Sequence, residues 1–167
     1  SGGSPRSLSR RDEQFPRRGM TDRLGENIPM AAYEFSADPR RVDRVTVHRW
    51  LSELSYWARG RSREQQDAAI EASRNYGIYD SETGAQLGYA RIVTDDATFA
   101  WLCDVFVSPD ARGQGIGKAL MAGIVADVEP LGVRRIMLAT ADAHGLYAQF
   151  GFEGVRAPEK YMVLGAH

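Results

Sequence analysis

Three glycines at alternate positions, Gly113, Gly115 and Gly117, separate an apolar run from an amphipathic one. The segment reads Val105-Phe106-Val107-Ser108-Pro109-Asp110-Ala111-Arg112-Gly113-Gln114-Gly115-Ile116-Gly117-Lys118. Phe99–Val107 is almost wholly apolar, which suits a strand covered on both faces, and Pro109 stops it. Ile116, Leu120, Ile124 and Val128 then recur on one helical stripe, so a helix should run from about Gly115 to Val128. Glycines let the chain turn tightly and let a ligand approach where a Cβ would stand. The first N–H groups of a helix lack internal partners and sit at the positive end of its dipole. Strand, glycine loop and helix start together make an anion cradle, most naturally for phosphate. Arg112 and Lys118 add fixed positive charge. Neither common nucleotide loop fits. A Walker loop needs a hydroxyl after its lysine, and Ala119 follows Lys118. The dinucleotide fingerprint needs its third glycine one place later than Gly117. The plain alternative is a tight turn with no ligand, which the two flanking cations argue against.

The rest of the chain supplies a mixed fold. Ala31–Ser36 reads as a first strand, Val42–Leu54 as a helix, and Ser62–Ser73 as a second helix opened by the capping pair Ser62 and Gln65. Asn75–Tyr79 and Gln86–Thr94 read as strands around a turn at 80–84. Beyond the glycine loop, Arg134–Ala139 reads as a strand and Ala143–Phe150 as a short helix. Phe152 and Tyr161–Leu164 mark final strands. Antiparallel runs mixed with strand–helix–strand crossovers predict an α/β (α+β) mixed sheet under helices.

Composition closes off several function classes. With one cysteine and three histidines, a disulfide framework is excluded and a zinc cluster disfavoured. The net charge of −1 disfavours a nucleic-acid partner. No apolar run approaches the roughly 20 residues of a membrane span, so no membrane partner and a cytoplasmic setting are expected. Nineteen arginines against two lysines hint at a GC-rich bacterial genome. Residues 1–30 carry six arginines and four acids, broken by Pro16, Gly19, Gly25 and Pro29, and read as a flexible tail that is in part an appended remnant. Residues 31–167 form the expected single domain.

Arg112-x-x-Gly115-x-Gly117 resembles the Arg/Gln-x-x-Gly-x-Gly/Ala signature of the GNAT N-acetyltransferase superfamily. The block Leu138-Ala139-Thr140-Ala141-Asp142-Ala143-His144-Gly145-Leu146-Tyr147-Ala148-Gln149-Phe150-Gly151-Phe152 is similar to that family's strand, helix and Leu-Tyr-x-x-x-Gly-Phe segment. Order and spacing of the two blocks also agree. The resemblance implies a central, mostly antiparallel sheet with splayed middle strands and helices on both faces. It also implies transfer of an acetyl (acyl) group from acetyl-CoA to a primary amine by direct attack, with no metal. A non-catalytic CoA-binding sensor or interaction module on the same fold is the alternative.

On that resemblance, main-chain N–H groups of Arg112, Gly113, Gln114, Gly115, Ile116, Gly117 and Lys118 should hold the CoA diphosphate. Val105, Phe106 and Val107 should pair with the pantetheine arm as a pseudo-strand, and a strand N–H should serve as oxyanion donor. Tyr147 stands where the family places its general acid; a packed core tyrosine is the bland reading. Asp104, a carboxylate inside an apolar strand, reads either as the base, with burial raising its pKa, or as a structural acid held by a loop N–H or an arginine. Cys103 should alternate to the opposite sheet face as a core thiol. His144 and His48 read as a helix-start residue and a structural or rim residue. Thr140 stands where many relatives carry a cofactor-contacting Asn, with Asp142 close by. Tyr56 and Trp57 read as an aromatic wall of the acceptor pocket, with Arg59 and Arg61 placed to meet an acceptor carboxylate; core packing for Trp57 and a solvated face for the arginines are the bland reading. The acceptor itself, small molecule or protein amine, stays open, as does a homodimer.

Overall fold

Among the described residues, one five-stranded sheet, ordered β1-β2-β3-β4-β5, organises the fold. The structure, a computed structural model, describes residues 33–165. The tail expected over residues 1–30 lies outside the described residues. β1 (Tyr33–Ser36), β2 (Arg74–Asp80), β3 (Gln86–Thr94) and β4 (Ala100–Val107) pair antiparallel in sequence order. β5 (Ile136–Met137) pairs parallel with β4. The sheet is therefore mixed and mostly antiparallel, as the sequence predicts.

Helices cover both faces. α3 (Ile116–Val128) buries Ile116, Leu120, Met121, Ile124 and Val128 against one face, where Tyr76, Ile78, Ala90, Ile92, Ala100 and Leu102 meet them. A Cβ at Gly123 would overlap the Phe35 ring, so the glycine lets this helix settle onto β1. The other face carries α1 (Arg44–Arg49) and α2 (Arg63–Glu71). There Val47, Trp50, Leu51 and Ile70 pack on Tyr89 and Phe106. The helix expected over Val42–Leu54 forms without a break from Arg44, two residues later than expected, to Leu54, but changes its winding at Trp50. Its last stretch, Trp50–Leu54, winds as a π-helix closed by Ser55 N–H donating to the Trp50 carbonyl at 3.1 Å. The Ser62–Gln65 capping box forms in both directions.

β4 breaks its own alternation. Leu102 packs on the α3 side while Phe106 packs on the α1–α2 side, although four residues separate them and period-2 alternation would place them together. The register slips between Tyr89↔Phe106 and Arg91↔Cys103. Asp104, with φ 55°, is the left-handed residue of this bulge.

The strands expected at Phe152 and Tyr161–Leu164 do not form. Between Gly151 and Gly165 the only regular element is a single 3-10 turn, Pro158–Lys160, and Met162 and Leu164 are fully exposed. β5 pairs over only two residues, Ile136 and Met137. That ladder is too short to template further strands, and Pro158 removes a donor just before Tyr161.

Candidate functional site

β4 and β5 touch at Ala100↔Ile136 and Trp101↔Met137 and then part. The gap opens into a cleft of about 780 Å³, walled by residues 101–107 of β4 on one side and 138–143 on the other. Tyr147, Arg112 and the loop after the π-helix, Ser55 to Trp57, complete it.

The glycine loop continues from Arg112, which lines the cleft; residues 113–118 do not line it. Gly113 and Gly115 have φ of 77° and 78°, and a Cβ on either would point into open space. Only the left-handed backbone, not crowding, favours glycine there. Among the described residues, the N–H groups of Gly113 to Lys118 find no acceptor; the first amide to do so is Ala119, which donates to Gly115 at 3.0 Å. Arg112 folds back toward the strand end. Its Nε donates to the Val107 carbonyl at 3.3 Å, and its guanidinium lies 5.4 Å from the Phe106 ring centre. The loop thus presents a run of free donors at a helix N-terminus, which fits a diphosphate.

Asp104 lies at the middle of the cleft floor with its side chain 1% exposed. Its Oδ2 accepts from Arg61 Nη1 and Arg91 Nε, each at 2.6 Å. Its Oδ1 accepts from Trp57 Nε1 at 3.0 Å and Arg61 Nη2 at 3.3 Å. Burial pushes this carboxyl up, but hydrogen bonds and charge from Arg61 and Arg91 outweigh it and hold Asp104 below its ordinary range. The upward shift expected from burial alone is therefore corrected by the arginines. For Arg91 the balance has the same logic: burial works against its charge, and Asp104 more than restores it. Arg91 escaped the sequence reading. Its signal is an arginine inside the apolar Gly88–Val93 run, on the strand that pairs with the one carrying Asp104.

Tyr147 sits in α4 (His144–Ala148), buried, its ring edge-on to Phe152 at 5.9 Å. Burial, with lesser contributions from Asp142 and Tyr56, pushes its phenol up to about 12. Among the described residues its hydroxyl has no hydrogen-bond partner, and it is not sealed from the cleft. Cys103 does not face away from Asp104. It stands opposite Arg91, and directly opposed residues share a face, so the bulge brings thiol and carboxylate to the same side. Burial pushes the thiol up to about 11.

Tyr56 and Trp57 meet edge-to-face at 4.9 Å. The Tyr56 hydroxyl accepts from the Ala141 N–H at 3.1 Å, spanning the two walls of the cleft. Arg61 faces the cleft, and Arg59 does not line it. His48 Nε2 donates to the Arg61 carbonyl at 2.8 Å, a structural contact that steadies the arginine. Thr140 Oγ1 accepts from Ala143 N–H at 3.0 Å and so shapes the turn into α4. His144 is exposed at the start of that helix. Among the described residues no cluster of His, Cys, Asp or Glu could hold a metal ion, and no helix is long and apolar enough to cross a membrane.

Residues 43–152 match the family model described as Acetyltransferase (GNAT) family. A solved structure of a protein described as belonging to the GNAT family, from Xanthomonas campestris pv. campestris, is 40% identical. It superposes with a TM-score of 0.76 over 80% of this chain and 93% of its own. FG08082 of Gibberella zeae, grouped by name with the acetyltransferases, is 25% identical over 74% of this chain and 80% of its own length. Serotonin N-acetyltransferase 2, chloroplastic, of Oryza sativa subsp. japonica is 34% identical over 55% of this chain; the match spans about half of the rice enzyme, 48%.

Proposed function

The chain belongs to the acetyltransferase (GNAT) family, and on that premise we propose that it moves an acetyl group from acetyl-CoA to a primary amine by direct attack. The observation that carries this reading is the set of acceptor-free amides from Gly113 to Lys118, in the loop that continues from Arg112, which lines the cleft between β4 and β5. When bound there, acetyl-CoA supplies the activated acetyl group and the thiol that leaves. The amides of residues 113–118 would hold its diphosphate, with Arg112 and Lys118 adding charge. Val105, Phe106 and Val107 would offer β4 main-chain groups to the amide-bearing arm.

The remaining chemistry belongs to this chain's own residues. A β4 N–H directed at the developing negative charge on the carbonyl oxygen contributes about 2.7–4 kcal/mol, the usual worth of one such donor. Tyr147 Oη holds a proton for the departing sulfur. Its raised pKa makes it a weaker acid than a free phenol, so the proton moves late, as the carbon–sulfur bond opens. Asp104 is a positioning residue. With both oxygens loaded by donors it orients Trp57, Arg61 and Arg91. It does not accept the amine proton: the amine attacks in its neutral form, and as the carbon–sulfur bond breaks and Tyr147 protonates the leaving thiolate, the proton shed by the nitrogen passes to cleft water and restores the Tyr147 phenol.

That saturation also favours a second reading, a non-catalytic CoA-binding module, because it leaves no free carboxylate base on the cleft floor. Thiol release with acetyl-CoA and a panel of amines decides. Amine-dependent release supports transfer, whereas CoA binding without release across the panel supports the module.

A further inference from the structure

The cleft floor carries more cation than it can neutralise. Arg61 and Arg91 are mostly buried, their side chains 21% and 14% exposed, and both line the cleft. Asp104 is the acid they share, and its two oxygens already accept from Arg61, Arg91 and Trp57. A carboxylate offers about four acceptor positions, so Asp104 has none to spare. The donors are not exhausted. Arg61 Nη1 also reaches Gln66 Oε1 at 2.9 Å, and Arg91 Nη1 reaches Ser73 Oγ at 3.1 Å. Among the described residues no acceptor meets Arg61 Nε or Arg91 Nη2, and neither atom is sealed from solvent. Asp142, on the opposite wall, is exposed and makes no ion pair with either arginine. A half-buried surplus of guanidinium is costly unless an anion completes it.

We propose that Arg61 and Arg91 receive a carboxylate of the acceptor, so that the substrate is an amine bearing a carboxylate, of the amino-acid class. This rests on the acetyltransferase reading. Guanidinium forks match a planar carboxylate through paired N–H groups. Trp57, half-exposed and anchored through its Nε1 to Asp104, lays a flat apolar wall beside the pair, which suits an aromatic or apolar side chain on the same acceptor. The net positive floor also disfavours an ammonium and favours the neutral amine that attack requires.

The test pairs acceptors that differ only in the carboxylate: L-phenylalanine with 2-phenylethylamine, and L-tryptophan with tryptamine, compared at equal free-base concentration by thiol release. The carboxylate-bearing member of each pair should show kcat/KM about tenfold higher or more. Calorimetry provides a readout free of turnover. 3-Phenylpropanoate should bind the protein, with or without CoA, where 3-phenylpropanamide does not, and Arg91→Gln should abolish that binding while leaving CoA affinity unchanged. Equal or better turnover of the decarboxylated amines, or no binding of 3-phenylpropanoate, overturns the inference. Failure of CoA itself to bind would instead overturn the acetyltransferase reading, and the carboxylate titration without CoA still decides the inference on its own.

Discussion

Replacing Asp104 by asparagine removes the charge that two guanidiniums share while keeping the side chain's shape. In the wild type, Arg61 and Arg91 approach one carboxylate oxygen at 2.6 Å each, on a side chain 1% exposed. Removing one partner of a buried ion pair costs about 3–5 kcal/mol, because the remaining charge stays buried. Asparagine keeps an oxygen for the Trp57 N–H, which places the cost toward the lower end. Against a typical stability of about 5–15 kcal/mol, that is a large loss, on the order of 10 °C in Tm for a domain of this size. The pH dependence has a definite sign. Asp104 is held below the ordinary carboxylate range. Its contribution is therefore complete above the unfolded-state value and is lost as pH falls through the lower folded-state value. The deficit of Asp104→Asn should accordingly shrink in strong acid. Thermal and urea unfolding across pH measure this, and a pH–rate profile on the same variant tests the role. A parallel fall in activity at every pH is expected. A variant that melts within a degree or two of wild type, with the acidic limb of its rate profile flattened, would refute the clamp and make Asp104 the base.

Three further outcomes are expected. Tyr147→Phe should lower kcat by about 10²–10⁴-fold with CoA affinity unchanged in calorimetry, and wild-type activity should show no limb from this phenol below about pH 11, because burial pushes it up to about 12. Gly115→Val places a branched side chain at φ 78° and should cost about 1–2 kcal/mol of stability, read by unfolding, together with a loss of CoA affinity. Cys103, the one cysteine, should alkylate with iodoacetamide far more slowly at pH 8 in the folded protein than in urea, because burial pushes its thiol up to about 11; mass spectrometry follows both rates.

Elements whose signals are local were legible in the chain. The capping pair Ser62–Gln65 named the start of α2, and the turn at 80–84 between two strand-forming runs placed β3 at its observed bounds, Gln86–Thr94. Alternating glycines located the cradle because its conformation is set within a few residues. What escaped depends on pairing. Nothing in Trp101-Leu102-Cys103-Asp104 marks a bulge beyond the tolerance of aspartate for positive φ. Missing the bulge put Cys103 on the wrong face and hid the Arg91 partner on the adjacent strand. Tyr161–Leu164 carries strand-forming residues, but a strand needs an edge to join, and β5 offers two residues. The pKa of Asp104 turned on partners 43 and 13 positions away, which burial alone could not supply.

The most direct measurement is a crystal structure with CoA. Diphosphate oxygens within about 2.7–3.2 Å of the main-chain nitrogens of Gly113 to Lys118, with the arm running along Val105–Val107, are the predicted result. CoA seated elsewhere, with those amides left to solvent, would contradict it.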